Sequence, residues 1–245
     1  MLKRIQFFIE EYPIIAKPLK WLKANTYSKY ITYTRTKYVG TNGKDFLNQI
    51  QKVFEELGIS YWLEFGTLLG AVREGDFIGG DSDIDLGAYL DEYSPKIEEV
   101  FKKHGFTKVK EIVIDNGEYG RTEAYSYKGI VSDIFYFRRE NGKLYGYNFE
   151  NYKSYGKRKT IDKLGGLVSM EIIFTDTGLK EIDFLGMKFK APKDTNLHLT
   201  EHYGEDFMIP NPNFTEEDVK NITKIDKIGV VKKYDFSKIY IKHED

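Results

Sequence analysis

The hydrophobic pattern of the chain becomes regular at residue 45. Apolar side chains at helical spacing predict a helix over DFLNQIQKVFEELG, which ends at Gly58. The next apolar run, ISYWLEFG, predicts a short strand because it is rich in aromatic and branched residues. TLLGAVRE follows Gly66 directly and predicts a second helix, with Thr67 near its N-cap.

The pattern continues with more strands and a further helix. DIDLGAYL predicts a second strand, and SPKIEEVFKKHG predicts a helix with Ser94 as its cap and Pro95 in its first turn. Further strands are expected near residues 107–114, 120–127 and 130–137. This order of elements predicts an α+β domain in which helices flank a mixed central sheet.

The second half of the chain is rich in Tyr, Lys and Gly, and its pattern predicts only loops and weak strands at first. EIDFLGMKFKAP then predicts a hairpin that turns at Leu185 and Gly186. DTNLHLTEHYG predicts a short helix closed by Gly204. Because no linker divides the body of the chain, we expect one domain over residues 43–245 and a helical extension over residues 1–42.

The start of the extension allows two interpretations. Apolar residues within 1–24 would line one side of a helical stretch that breaks near Pro13 and Pro18, with lysines beside them. Peripheral contact with an anionic membrane is one interpretation. A helix packed on the domain is the other, and we favour it because many surface helices show this pattern. The segment lacks a small-residue cleavage site, so a signal peptide is not expected.

Composition narrows the class of protein. The 245 residues are 41% hydrophobic and 16% aromatic, which is enough apolar side chain for a real core. With 37 basic and 38 acidic residues, the net charge of -1 argues against a general nucleic-acid-binding protein. The absence of cysteine excludes disulfides, thiolate zinc sites and cysteine nucleophiles, and it fits a reducing compartment.

Aspartates at alternate positions are the first candidate site. If the strand begins near Asp83, then Asp83 and Asp85 share one face about 6–7 Å apart and repel each other unless a cation lies between them. Asp133 is the one carboxylate in the apolar strand VSDIFYF, where an unpaired charge is costly. Oxygen ligands favour Mg²⁺ or Mn²⁺, so these three residues predict a site for one or two metal ions. The alternative is that the acidic residues cap a turn or face solvent.

A glycine-rich turn supplies the second candidate site. Gly66 and Thr67 lie where a strand turns into a helix, and such a turn offers backbone N–H groups to a phosphate. Gly66 also lets the backbone approach a ligand closely. Arg73, two turns along the helix, either reaches a phosphate or pairs with Asp76. Gly66, Thr67 and Arg73 are therefore predicted to bind a nucleotide phosphate.

The stretch FGTLLGAVREGDFIGGDSDIDLG, together with SDIFYF, resembles the nucleotidyltransferase-fold proteins. Within them it is most similar to the LicD and fukutin family of phosphotransferases, in which Gly-Thr-Leu-Leu-Gly precedes Asp-x-Asp. YGEDFMIP, which begins at Tyr203, resembles the C-terminal Tyr-Gly-x-x-Trp-x-x-Pro of that family. The resemblance covers about residues 45–214. It departs from the family at residues 79–82, which are GGDS instead of Pro-Trp-Asp-Asp, and at Phe207, which replaces Trp.

The resemblance implies a nucleotidyltransferase-like fold and transfer of a phosphorylated group, of the phosphocholine or phospho-alditol type. The donor would be CDP-linked, and the acceptor a sugar hydroxyl of a surface glycan such as capsule, lipopolysaccharide or teichoic acid. Asp83 and Asp85 would hold the metal on the diphosphate, and Asp133 would either complete the metal shell or act as base. A cytoplasmic location is expected, and a lipid-linked acceptor would place the protein at the inner face of the membrane.

Three other functions remain as alternatives. A nucleotidyltransferase would move a nucleoside monophosphate to a small molecule or protein and release pyrophosphate. A glycosyltransferase is disfavoured because the segment before Asp83 is too short for a Rossmann-like half. A non-catalytic binding module is disfavoured because unpaired buried charges would destabilise it.

Three further groups of residues receive weaker predictions. His198 and His202 have the spacing of a zinc pair, but no third ligand is evident, so a surface helix is favoured. Arg121, beside Glu123 on a predicted strand, either touches the donor or forms a surface pair, and the surface pair is favoured. The basic run at residues 157–159 either meets an anionic acceptor or lies in a solvated loop.

Overall fold

The computed structural model describes residues 28–153, 155–211 and 213–235. Residues 1–24, for which the sequence allows membrane contact or a packed helix, lie outside this part of the chain. The α-helices of the described part are Ser28–Leu57 (α1), Phe65–Arg73 (α2), Ile97–Lys103 (α3), Lys157–Leu164 (α4) and Thr195–Tyr203 (α5). Its β-strands are Tyr61–Leu63 (β1), Ile84–Tyr89 (β2), Thr107–Ile114 (β3), Gly120–Tyr127 (β4), Ile130–Glu140 (β5), Lys143–Glu150 (β6), Leu167–Thr175 (β7), Leu179–Phe184 (β8), Met187–Pro192 (β9) and Ile222–Tyr234 (β10).

Helix α1 is longer than the hydrophobic pattern predicts. It begins at Ser28 and not near residue 45, so the C-terminal part of the predicted extension continues directly into this helix. Its buried face carries apolar residues at helical spacing, which pack against the sheet. These residues include Phe46, Leu47, Ile50, Val53 and Phe54. The division of the chain at residues 42 and 43 remains a prediction.

The strands form a mixed sheet, as the order of elements predicts, but part of that sheet closes on itself. Its order is β1-β2-β5-β4-β3-β10-β7-β6, and β5 also pairs with β6. Strands β5, β4, β3, β10, β7 and β6 therefore form a barrel-like ring. Strand β5 makes this closure because its first part pairs with β2 and β4, while its last residues, Arg138–Glu140, pair with β6. The pairing of β2 with β5 is parallel.

Alternation along the strands gives the sheet two chemically different faces. Leu86 and Ile134, which are fully buried, belong to the core under α1. Asp85 and Asp133 alternate with them and therefore point to the opposite face. A second apolar cluster, which includes Phe135 and Phe174, fills the ring on that opposite side. The carboxylates thus lie beside the ring interior and away from the main core.

Two of the predicted C-terminal elements are confirmed. Strands β8 and β9 form the expected hairpin, and its turn residues Leu185 and Gly186 have φ values of 53° and 74°. Positive φ at both central residues is the geometry of a type I′ turn. Helix α5 is also present; Asp194 caps it by accepting a hydrogen bond from the N–H of Leu197, and Gly204 follows it with a φ of 94°.

Both predicted helix caps near the site are wrong. Helix α2 begins one turn earlier than expected, so Glu64, and not Thr67, is its N-cap. Helix α3 begins at Ile97, and Ser94 therefore lies in the turn before it, where its hydroxyl accepts from the N–H of Lys96. Pro95 precedes the helix for the same reason. Glu64 occupies the N-cap position, where its buried side chain accepts a hydrogen bond from the N–H of Phe65.

The surface interpretation of Arg121 and Glu123 is also wrong. The two residues are 8% and 0% exposed, and they form an ion pair at 3.0 Å. Lys108 also pairs with Glu123, at 2.9 Å, and the hydroxyl of Tyr125 donates to it at 2.8 Å. Neighbouring charges thus compensate this buried carboxylate, and the network lies on the sheet face opposite to Asp133.

Candidate active site

A row of residues in register across the sheet forms the floor of the candidate site. Tyr234 of β10 pairs with Lys110 of β3, which pairs with Ala124 of β4. Ala124 pairs with Asp133 of β5, and Asp133 pairs with Asp85 of β2. Paired residues on neighbouring strands project to the same side of a sheet, so these groups share one face. Lys110 forms an ion pair with Asp133 on this face.

The structure brings the three predicted metal-binding carboxylates close together. Burial raises the pKa of Asp85 well above its ordinary value, and nearby Asp83 and Asp133 raise it further against the effect of Lys110. Burial and Asp133 also raise the pKa of Asp83, although Arg35 and Lys110 oppose them. Like charges that perturb each other in this way lie within electrostatic reach. The crowding inferred from the sequence is therefore present in the fold.

The three carboxylates do not form a complete set of ligands for one metal ion. Within the residues that the structure describes, no three acidic or histidine side chains are placed to hold one metal ion together. Lys110 lies against Asp133 instead. The assignment of all three carboxylates to one metal thus stays a prediction, as does the choice between ligand and base for Asp133.

Asp81, which precedes Asp83 and Asp85 in the chain, forms the edge of the site next to the glycine turn. Its carboxylate accepts a hydrogen bond from the N–H of Ile78 at 2.9 Å. Burial raises the pKa of Asp81 to about 6, against the effect of this hydrogen bond. A Cβ built on Gly66 would lie 3.7 Å from the Asp81 carboxylate. A negative charge thus borders Gly66, which the sequence assigns to phosphate binding.

Thr67 holds the backbone of Asp85 in place. Its hydroxyl accepts the N–H of Asp85 at 2.9 Å, and the N–H of Glu64 donates to the Asp85 carbonyl at 3.1 Å. Thr67 is only 2% exposed. The start of α2 and the start of β2 are thus fastened together on both sides of Asp85. A phosphate contact for Gly66 and Thr67 remains a prediction.

Arg73 lies within electrostatic reach of Tyr203 in the C-terminal motif. Burial raises the pKa of Tyr203, and nearby Asp85 raises it further, whereas Arg73 opposes this shift. Tyr203 is the first residue of YGEDFMIP and the last residue of α5. This helix therefore carries the motif to the border of the acidic site. Arg73 is partly buried there, and its contact with a phosphate is a prediction.

A buried acid–histidine pair lies directly behind the glycine turn, and sequence reasoning missed it. Glu64 is 0% exposed, and its Oε1 lies 2.6 Å from Nε2 of His198. The indole N–H of Trp62 donates to the same carboxylate at 2.5 Å. Although burial alone would raise the pKa of Glu64, these partners hold it below its ordinary value. The available signal was a lone acidic residue in the apolar run YWLEFG.

The surface-helix interpretation of the two histidines is therefore wrong. His198 and His202 are 2% and 8% exposed, and both point inward from α5. His198 stacks on Phe174 with ring centroids 3.7 Å apart. Nδ1 of His202 lies 2.8 Å from the side-chain oxygen of Asn221. Glu64 and Asn221 thus engage one ring nitrogen of each histidine.

The burial of His202 is expected to make the stability of the protein depend on pH. Burial lowers its pKa from 6.5 to about 4, despite the opposing effects of Asn221 and Glu64. The unfolded chain therefore binds a proton more readily between these pH values, and stability must fall as pH falls. Going from pH 7 to pH 5 should cost about 2 kcal/mol through this group alone. Urea unfolding at both pH values should show a smaller loss in His202→Gln than in the wild type, and an equal loss would contradict the prediction.

The basic run is divided between the site and solvent. Lys157 begins α4, and its ammonium lies 3.8 Å from the centre of the Tyr234 ring and contacts the hydroxyl. Burial and nearby Lys110 lower the pKa of Lys157 to about 8, while Asp133 opposes them. The side chain of Arg158 is 82% exposed. Lys157 therefore approaches Lys110 and Asp133, and the solvated-loop interpretation is wrong for this residue.

Together, the fold and this site define a mixed α/β domain with an acidic site on one face of a parallel strand pair, bordered by lysines. A family model described as LicD/FKTN/FKRP, nucleotidyltransferase domain, matches residues 58–194, which is more than half of the chain. The chain belongs to this family, as the resemblance in sequence predicts.

Curated relatives agree with the family assignment. Mouse ribitol-5-phosphate transferase FKTN is 27% identical over 173 residues, which cover 68% of this chain and 33% of that protein. Human ribitol 5-phosphate transferase FKRP is 34% identical over 99 residues, or 38% of this chain and 19% of that protein. The uncharacterized protein RT0683 of Rickettsia typhi is 33% identical over 113 residues, or 43% of this chain and 33% of that protein. The chain thus spans about a third of the length of FKTN.

None of the helices in the described part of the chain is long and apolar enough to cross a membrane.

Proposed function

We propose that the chain is a metal-dependent phosphotransferase. It moves a phosphorylated group, of the phosphocholine or phospho-alditol type, from a CDP-linked donor to a sugar hydroxyl of a surface glycan. The observation that carries this proposal is the pairing of Asp85 with Asp133 beside Lys110 in a LicD-family domain. Relatives named as ribitol-5-phosphate transferases support the reaction class. A nucleotidyltransferase-like fold, and not only a mixed α/β one, is part of the proposal.

The carboxylates suit a magnesium ion that also takes phosphate oxygens. Mg²⁺ commonly binds one or two protein carboxylates and leaves its other positions to water and substrate phosphate. Asp83 and Asp85 repel each other in a partly buried setting, which a divalent cation would relieve. When bound, Mg²⁺ or Mn²⁺ would neutralise the charge of the diphosphate. Asp133 would complete the ligand set or accept the proton of the acceptor hydroxyl.

The remaining chemistry is positioning. The sugar oxygen attacks the phosphorus of the transferred group, the bond from that phosphorus to the CMP oxygen breaks, and CMP leaves with the electron pair. Glu64 and Thr67 fix the backbone of Asp85 during this step through their two hydrogen bonds. Gly66, Thr67 and Arg73 bind donor phosphate in the proposal based on the family resemblance. The acceptor is lipid-linked, and the reaction takes place in the cytoplasm, at the inner face of the membrane.

A product assay tests the proposal. The protein is incubated with Mg²⁺ and glycan acceptor, and with CDP-choline, a CDP-alditol, CTP or ATP in turn. We expect CMP to form from a CDP-linked donor, because the phosphorylated group is transferred and the nucleotide monophosphate leaves. Asp183→Asn removes a carboxylate from the exposed hairpin. It is the control for Asp85→Asn, which removes a carboxylate of the site, and it should keep full activity. Release of pyrophosphate from CTP or ATP without CMP would instead identify a nucleotidyltransferase.

A further inference from the structure

Two lysines from separate elements converge on Asp133. Neither of them has a role in the proposed metal or phosphate binding. Lys110 comes from β3 and Lys157 from the first turn of α4. Tyr234 lies next to both, because it pairs in register with Lys110 and its ring and hydroxyl contact the Lys157 ammonium. Both lysines approach Asp133, and the Lys110 side chain is only 20% exposed. The site therefore holds a pair of cations next to its carboxylates.

The partners of the two lysines leave a charge to be balanced. Lys110 pairs with Asp133, which the proposed function also assigns to the metal or to the acceptor proton. Lys157 contacts the ring and hydroxyl of Tyr234. Among the ion pairs of the described residues, none joins Lys157 to a carboxylate. One carboxylate thus faces two ammonium groups, and an anion between them would relieve their repulsion.

The neighbours of Lys157 do not share this position. Arg158 is exposed and lies 4.0 Å from Asp162 within the same helix. Lys159 is also exposed, with its ammonium 4.5 Å from the ring centre of Tyr155. Of the three basic residues at 157–159, Lys157 alone points toward the row. The convergence therefore comes from the fold and not from a general excess of positive charge.

Gly66 and Thr67, on the opposite side of the carboxylates, offer no charged donor of their own. Gly66 borders the carboxylate of Asp81. Thr67 is buried, and its hydroxyl already accepts a backbone N–H. Lys110 and Lys157 instead offer two charged donors on the far side of Asp133, and Tyr234 lies in contact with Lys157 and in register with Lys110. Charge-assisted hydrogen bonds of this kind are the stronger ones for phosphate.

We propose that Lys110, Lys157 and Tyr234 form a phosphate subsite, which holds a phosphate of the donor diphosphate beside Asp133. This inference rests on the proposed function for the identity of the donor. The metal side of the diphosphate then faces Asp83 and Asp85, and its other side faces the lysines. The subsite recognises phosphate charge and does not read the base of the nucleotide.

Calorimetric titration of CDP and of cytidine, with Mg²⁺ present, tests the subsite. Lys157→Gln should weaken CDP binding about tenfold or more, since it removes a charged hydrogen-bond donor. Cytidine, which has no phosphate, should bind the variant and the wild type alike. Lys159→Gln is the matched control, because it removes the same charge two residues away, and it should leave both affinities unchanged. Lys157→Arg should restore most of the CDP affinity.

The outcomes separate this inference from the proposed function. Equal CDP affinity in Lys157→Gln and wild type, or an equal loss in Lys159→Gln, would overturn the subsite. If the wild type binds no CDP, pyrophosphate is titrated instead. Lys157-dependent binding of pyrophosphate would then support the subsite while the cytidine donor fails, and its absence would overturn the subsite. If thermal unfolding shows that Lys157→Gln does not fold, Lys110→Gln replaces it with the same expectation.

Discussion

Asp85→Asn is expected to abolish phosphotransfer and, in the same protein, to raise the midpoint of thermal unfolding. The loss of activity follows because Asp85 carries the metal in the proposed function, and metal stabilisation of the developing charge contributes several kcal/mol. A loss of about a thousandfold or more is therefore expected. The gain in stability follows because Asp85 is crowded by Asp83 and Asp133 and its charged form is disfavoured in the fold.

The direction of the stability change follows from the raised pKa of Asp85. A carboxyl group whose pKa is higher in the folded state than in the unfolded state destabilises the fold above its unfolded pKa. The asparagine side chain removes this penalty at neutral pH, for a gain of about 1 kcal/mol. Thermal unfolding in EDTA measures it without metal. Asp183→Asn should change neither stability nor turnover, since that carboxylate is 77% exposed.

Two results would contradict this prediction in different ways. A less stable Asp85→Asn protein would mean that the carboxylates do not repel one another in the folded chain. An active Asp85→Asn protein would remove Asp85 from the metal site and leave the fold untouched. A variant that is both stabilised and inactive would show that the site costs folding energy for the sake of function, as strained sites commonly do.

The sequence was sufficient to predict those features whose residues lie close together along the chain. Asp83 and Asp85 are two residues apart, so a strand places them on one face whatever its partners are. The pairing of Asp85 with Asp133 required only that their strands be neighbours. The hairpin that turns at Leu185 and Gly186 is also local, because only these two residues need the positive φ angles of its turn. Backbone geometry alone determines such features.

The remaining part of the site depends on contacts between distant segments. Glu64 and His198 are 134 positions apart, and neither residue has a local pattern that names its partner. Lys110 and Lys157 converge because β3 belongs to a ring of strands that closes on itself, and α4 connects two other strands of that ring, β6 and β7. Strand β6 of that ring is Tyr-rich and mixes half-buried with buried positions without strict alternation, so its pattern predicts only loops and weak strands. Ring closure is a property of register and not of composition.

His198→Leu is expected to destabilise the protein more than any other single change considered for this site. It leaves the fully buried Glu64 carboxylate without the imidazole nitrogen 2.6 Å away, and removal of a hydrogen-bond partner from a buried charged group typically costs about 3 kcal/mol or more. Urea unfolding at pH 7 measures the loss. Asn196→Ala, on the exposed side of the same helix, is the matched control and should change stability little. Glu64→Gln combined with His198→Leu should recover part of the loss, because no ionised group is then buried.

The same variant should also lower turnover in the fraction that remains folded. Glu64 donates its backbone N–H to Asp85 and caps α2, so a shift of Glu64 moves the metal-binding strand and the glycine turn together. We expect kcat to fall while KM for the donor changes less, since the catalytic carboxylate is displaced and the lysine subsite is not. A destabilised His198→Leu protein with unchanged kcat would mean that the pair only supports the fold.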